Sequence, residues 1–255
     1  MRCHTYTTLS GTPQALFSLF FTSAESQRAL ELEVRYCVRG VISPLLSNIY
    51  LHSVLDLWFE HVVKPRLKGR AWLVRFADDF LMGFELEADA RRVYEVLPKR
   101  LAKHGLSIHP DKTRLVPFFP PERNDGQRVT FNCLGFTHSW GISRKGRRFV
   151  QRRTMQQRLT RALEGLRTHC RKNRHEPLAQ QRVQLAQQMQ GHYAYYGITG
   201  NFRQLRNYAH EVERIWRYWL DRRSRPRDLP WDRFKQTVLK RFPLPRPRVV
   251  HSVYT

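Results

Sequence analysis

The sequence predicts an α+β chain: a mixed sheet with helices over residues 38–150, followed by an all-α domain over 151–255. Three observations carry this. Between Ser43 and Gln151, apolar runs of strand length alternate with stretches of helical period, punctuated by Gly, Pro and Asp. After Gln151 the period turns helical and stays so. The charge divides at nearly the same place: residues 1–140 carry 18 Lys/Arg against 14 Asp/Glu, and residues 141–255 carry 27 against 7, within a net charge of +24 over 255 residues.

Residues 1–37 hold a Thr/Ser-rich start, the apolar run Ala15 to Phe21 and a weakly helical stretch from Glu25 to Leu32; no motif is assigned there, and the segment is set apart from the rest. From Ser43 the signals sharpen. Ser43 supplies an N-cap and Pro44 a first helical position, and Leu45, Ile49, Leu51, Leu55 and Trp58 continue an apolar face, so a helix is expected over 44–63, ended by Pro65 and Gly69. Ala71 to Phe76 and Phe80 to Phe84 read as strands joined at Asp78 and Asp79. An amphipathic helix is expected over 87–101, short strands over 105–109 and 113–118, and a hairpin from 129–136 and 147–151. Helices follow over 152–174, 178–195, 202–221 and 231–240. Pro243 to Arg248, alternating proline with basic and apolar residues, is expected to run extended.

With 41% hydrophobic and 12% aromatic residues the chain has the apolar mass for one or two cores, which excludes a disordered basic tail despite a mean hydropathy of −0.57. The longest apolar run is too short to span a bilayer and no lipidation signal accompanies the charge, so the expectation is a soluble, cytoplasmic protein without a membrane partner. Cys3, Cys37, Cys133 and Cys170 form no CxxC pair and are expected as free thiols; no Cys/His cluster has zinc-ligand spacing. The basic excess points to a polyanion. Nucleic acid is the favoured partner, with an anionic membrane surface as the competing reading.

Two adjacent carboxylates between apolar strands, in Phe76-Ala77-Asp78-Asp79-Phe80, repel each other unless a cation offsets them. A divalent metal does so; solvated acids at an ordinary turn are the alternative. Successive strand residues face opposite sides, so one of the pair, by position Asp78, is expected to bridge two ions while Asp79 supports it. Farther on, Arg152, Arg153, Arg158, Arg161, Arg167, Arg171, Lys172 and Arg174 have few acids nearby to pair them, and Tyr193, Tyr195 and Tyr196 form an aromatic cluster. Phosphate contacts with base stacking are expected, against a merely solvated face. Trp216, Trp219 and Trp231, at helical spacing, read as core.

Gly40-Val41-Ile42-Ser43-Pro44-Leu45-Leu46-Ser47-Asn48-Ile49-Tyr50-Leu51-His52 resembles the fourth block of group II intron reverse transcriptases. Val74-Arg75-Phe76-Ala77-Asp78-Asp79-Phe80 resembles the fifth, usually written YADD, with Phe76 where tyrosine is commoner. His104-Gly105-Leu106 with Asp111-Lys112-Thr113 resembles the sixth block, and Phe131-Asn132-Cys133-Leu134-Gly135-Phe136 the seventh, where the family's primer grip lies. Gly191-His192-Tyr193-Ala194-Tyr195-Tyr196-Gly197-Ile198-Thr199-Gly200-Asn201 and Trp219-Leu220-Asp221-Arg222-Arg223-Ser224 resemble the thumb or maturase region, which in the family grips template-primer and intron RNA. The resemblance covers residues 38–255.

It implies a partial reverse-transcriptase palm over 38–150 and a thumb/maturase domain over 151–255. The implied activity is RNA-directed DNA polymerisation with intron maturase function. The implied ligands are Mg²⁺ (with Mn²⁺ as a substitute), dNTP, an RNA/DNA template-primer and intron RNA. Asp78 and Asp79 take catalytic and metal-binding roles, and Phe76, Ala77, Lys112, Leu134 and Gly135 contact substrate or primer. The basic residues named above bind RNA, together with Tyr195, Tyr196, Arg222 and Arg223. Lys112 reads equally as a phosphate-neutralising point charge or a solvated turn lysine. Gly135 either admits a close backbone or strand approach or marks a bulge. In the family a third metal carboxylate comes from a strand upstream of the fourth block. Here no Asp precedes Asp56, the earlier acids are Glu25, Glu31 and Glu33, and Cys37-Val38-Arg39-Gly40 replaces the family's Pro-Gln-Gly entry. The expectation is an N-terminally truncated or rearranged polymerase that binds RNA and polymerises poorly; a non-catalytic basic RNA-binding protein assisting intron folding and splicing is the alternative.

Overall fold

The structure, a computed structural model, describes the backbone of residues 16–21 and 43 and, in full, residues 44–109, 113–120, 129–143, 145–223 and 229–252. It divides into two compact units: Leu9–Leu134 with Ser139–Val150, and Gly135–His138 with Gln151–Thr255.

The first unit runs β1 (Leu16–Phe21), α1 (Ser43–Leu51), β2 (Ala71–Phe76), β3 (Asp79–Phe84), α2 (Glu87–Ala102) and β4 (Arg114–Phe118). Past Leu51 the α1 helix continues with wider, i→i+5 turns at His52–Asp56 and Phe59–Val63, and Pro65 lies in its closing turn, Lys64–Arg66. The strand order is β2-β3-β1-β4 with every neighbouring pair antiparallel, the arrangement of a ferredoxin-like β-α-β-β-α-β unit. Phe80, Met82 and Phe84 of β3 are buried and alternate with half-buried Asp79, Leu81 and Gly83, as the two-residue period of a strand requires. They join Leu55 and Phe59 from the α1 helix and Val93, Leu97 and Leu101 from α2 in one apolar core. Asp89 is buried at the start of α2 and accepts from the backbone N–H groups of Lys68 (3.0 Å) and Gly69 (2.9 Å), which fixes the entry to β2.

Four expectations are corrected. No strand is expected in residues 1–37, yet β1 is an inner strand, lying between β3 and β4 with Phe17 to Phe21 opposite Phe84 to Phe80; the weakly helical stretch from Glu25 to Leu32 lies outside the described residues. The run Leu-Phe-Ser-Leu-Phe-Phe carries no regular apolar–polar alternation, so the two-residue period that identifies half-buried strands is missing from the sequence. Residues 105–109 are not a strand: Gly105, at φ +68, closes α2, and the Leu106 N–H donates back to the Leu101 carbonyl at 3.0 Å. The single strand expected over 129–136 is two, β5 (Thr130–Cys133) and β6 (Phe136–Ile142), parted by a turn with Leu134 at φ +48 and Gly135 at φ +76. With β7 (Arg148–Thr154) they form a sheet in the order β5-β6-β7. The helix expected from 152 starts later, as α3 (Gln156–Lys172), because β7 continues through Arg152 and Arg153 to Thr154.

In the second unit α3, α4 (Leu178–Tyr196), α5 (Phe202–Leu220) and α6 (Trp231–Arg233, continued in wide turns through Leu239) share a second core. Trp216 is fully buried at its centre and donates from Nε1 to Gln181 Oε1 at 2.9 Å, while Trp219 and Trp231 pack at its edge, in keeping with their helical spacing. Asn201, with 0% exposure, accepts from the Thr154 N–H (3.0 Å) and donates to Thr154 Oγ1 (2.9 Å) and the Tyr196 carbonyl (2.8 Å). One side chain thus ties the end of β7 to the α4–α5 turn. Residues 243–250 form neither helix nor strand and are strapped to α4 by Arg182 on the Pro243 carbonyl and Tyr193 on that of Pro245. Among the described residues no helix is long and apolar enough to cross a membrane.

Candidate active site and nucleic-acid interface

Strands β2 and β3 pair up to Phe76 opposite Asp79, which leaves Ala77 and Asp78 as a two-residue loop. Ala77 sits at φ +54, a region alanine rarely enters, and strain of this kind concentrates at functional sites. Asp78 is exposed in the turn and Asp79 half-buried as the first residue of β3. Phe76, 66% exposed, is the most exposed large apolar side chain among the described residues. The two acids therefore differ: one stands in solvent, the other at the head of the sheet.

Behind the turn, Arg75 donates from Nε and Nη2 to the two carboxylate oxygens of Asp56, both at 2.8 Å, and from Nη1 to Asn48 Oδ1 (2.8 Å) and the Ala77 carbonyl (2.9 Å). Sequence reasoning assigned no role to Arg75, Asp56 or Asn48. The available signal was an arginine three residues before the first acid of the hairpin. Cys133, at the end of β5, feels Asp79: its thiol is pushed up to about 11 by burial and then by that negative charge, so the end of β5 lies within electrostatic reach of Asp79. Cys133 and Cys170 are free thiols; Cys3 and Cys37 lie outside the described residues. So do Asp111 and Lys112.

Two adjacent carboxylates suit one hard divalent ion whose shell is completed by phosphate oxygens. A pair of ions needs more. The strand bordering β3 on the side away from β2 is Leu16–Phe21, which contains no acid, and no group of three or more His, Cys, Asp or Glu side chains among the described residues could hold a metal.

The Leu134–Gly135 turn, expected as either a close approach or a bulge, is a tight turn under close approach. A Cβ on Gly135 would stand 3.0 Å from the Tyr196 hydroxyl. Phe136 stacks with Tyr195 (5.9 Å, 15°) and meets Tyr196 edge-on at 5.2 Å, and the Arg158 charge acts on the Tyr196 hydroxyl. Tyr195 is exposed; Tyr193, expected in the same cluster, is buried in the core. On α3, Arg158, Arg161, Arg167, Arg171 and Lys172 are exposed and make no ion pair among the described residues. Other predicted RNA contacts are engaged by their own chain. Arg153 donates to Gln151 Oε1, and Arg174 to His175 Nε2 and the Arg171 carbonyl. Arg223 holds the carbonyls of His175 and Glu176, and the Arg222 guanidinium lies 3.4 Å over the Tyr218 ring. Arg152 acts electrostatically on His138.

No curated protein gives a significant match to the chain. The family model described as reverse transcriptase (RNA-dependent DNA polymerase) matches residues 3–138, more than half of the chain. The matched span takes in β1, the Ala77–Asp78 turn and the Leu134–Gly135 turn. On that match, joined to the ferredoxin-like sheet and the paired aspartates at its hairpin, the chain belongs to the reverse transcriptase family.

Proposed function

We propose that the chain is a reverse transcriptase and maturase of the group II intron type, which binds intron RNA and template-primer and extends primers at or near background. In this reading Asp78 and Asp79 hold one divalent ion, Mg²⁺ or Mn²⁺. Such an ion, when bound, neutralises charge on a transferring phosphoryl group. Phe76 and Ala77 line the approach to the tip, Leu134 and Gly135 guide the primer, and the exposed cations of α3 with Tyr195 grip RNA phosphate and base.

The observation that carries the reading is the composition of β1. It borders β3 up to Phe21 opposite Phe80, and it lies upstream of the fourth block, where the resemblance puts the strand that carries a third metal carboxylate; it offers only Leu, Phe and Ser. Glu25, Glu31 and Glu33 lie outside the described residues. Losing one member of a catalytic unit costs several powers of ten in rate rather than a modest factor. The test is nucleotide incorporation on an RNA template with Mg²⁺ and then Mn²⁺, using Asp78→Asn protein as the blank. Extension within error of that blank is expected. Robust extension above it refutes the defect and points to an upstream glutamate or a partner chain as the missing ligand.

A further inference from the structure

The strained turn is held by a side chain outside the roles assigned so far. Arg75 is 13% exposed, and its fork divides between the α1 helix and the turn: Asp56 and Asn48 on one side, the Ala77 carbonyl on the other. Its partners are themselves braced. Asp56 also pairs with His52 Nδ1 at 3.1 Å, and the Asn48 amide donates to the Pro44 carbonyl at 3.0 Å. The carbonyl that Arg75 holds belongs to the peptide joining Ala77 to Asp78. With β2 fixed, any change of φ at Ala77 from +54 would carry that carbonyl, and Asp78 beyond it, away from the Arg75 fork. A bidentate, charge-assisted fork is among the stronger polar contacts, and over-determined surroundings are what keep a strained residue in place.

We propose that Arg75 is a positioning residue: braced on Asp56 and Asn48, it fixes the Ala77–Asp78 peptide and so sets where the Asp78 carboxylate points. The inference rests on the reading of the hairpin tip as the functional tip. Lysine cannot replace it, because an ammonium is a point charge and cannot span the Asp56 carboxylate and the turn carbonyl in one plane.

The test uses the full chain, labelled with ¹⁵N at alanine and aspartate, as native protein and as Arg75→Lys, Asn48→Ala and Arg70→Lys variants. Arg70→Lys is the control, since Arg70 pairs with Glu85 at the other end of the same hairpin. In Arg75→Lys the amide resonances of Ala77, Asp78 and Asp79 should shift and exchange faster with solvent, and Mn²⁺ should broaden Asp78 only at about tenfold higher concentration. Asn48→Ala, which keeps the Asp56 pair, should show smaller changes of the same kind and decides the matter if Arg75→Lys does not fold. The control should show none. Tip resonances that stay put in both Arg75→Lys and Asn48→Ala, or that move equally in the control, overturn the proposal. A native chain whose Asp78 resonance ignores Mn²⁺ overturns instead the metal-holding role of the tip, and the resonances still decide the positioning role.

Discussion

Replacing Arg158, Arg161, Arg167, Arg171 and Lys172 together by Gln removes five exposed cations from α3 and leaves its buried residues, Leu159, Leu166 and Cys170, untouched. Gln matches Arg and Lys in helix propensity, and none of the five gives up an ion pair among the described residues, so the fold should survive. If each cation neutralises one phosphate, the slope of log K against log salt flattens by about 0.7 per contact on single strands and about 0.9 on duplex, hence by roughly 3.5 to 4.5 for five. Over a fourfold rise in salt the native chain should then lose about 100- to 500-fold more affinity for a structured RNA than the variant loses. The assay is fluorescence anisotropy on the full chain across a salt series, with Arg91→Gln as control because Arg91 already pairs with Glu87 in the other unit. A slope that changes by less than about one unit means that α3 is a solvated face and that the RNA reading of this helix is wrong.

Asn201→Ala should cost about 2–5 kcal/mol, read as a lower denaturant midpoint at unchanged m, since it strands the Thr154 N–H and the Tyr196 carbonyl in a buried site. Asp78→Asn with Asp79→Asn should leave thermal stability in chelator unchanged or slightly raised, because like-charge repulsion is removed; a loss of about 1–3 kcal/mol would mark the acids as structural acceptors instead. Burial holds His192 down to about 4, and burial with the nearby Arg152 charge holds His138 down to about 4, against an ordinary 6.5. Both stay neutral when folded and gain a proton on unfolding. Their contribution is complete above about pH 6.5 and is lost as pH falls from there toward about 4, by up to about 1.4 kcal/mol per pH unit for each histidine. Melts across that window should show the decline, and His192→Phe should lessen it.

Features whose signal is local were legible before any fold was known. Period, caps and breakers located α2, α4 and α5 to within a residue or two, and the apolar runs flanking Asp78 and Asp79 located the β2–β3 hairpin. Charge density marked α3, and the spacing of Trp216, Trp219 and Trp231 marked the helical core. Tertiary structure decided whatever depends on partners distant in the chain. Leu16–Phe21 is a strand because β3 and β4 supply its hydrogen bonds, and partners so far along the chain leave no local pattern in its sequence. Arg152 and Arg153 are strand residues because β7 runs on to Thr154, which Asn201 holds from 47 residues away. Tyr193 and Tyr195 sit two apart on one helix, so one turns into the core and the other stands exposed, a difference that composition cannot express. Arg75 looks like any strand arginine until α1 brings Asp56 and Asn48 to its fork. The identity of the hairpin was legible because its acids are adjacent in sequence; its geometry was not, because the groups that hold it come from a helix earlier in the chain.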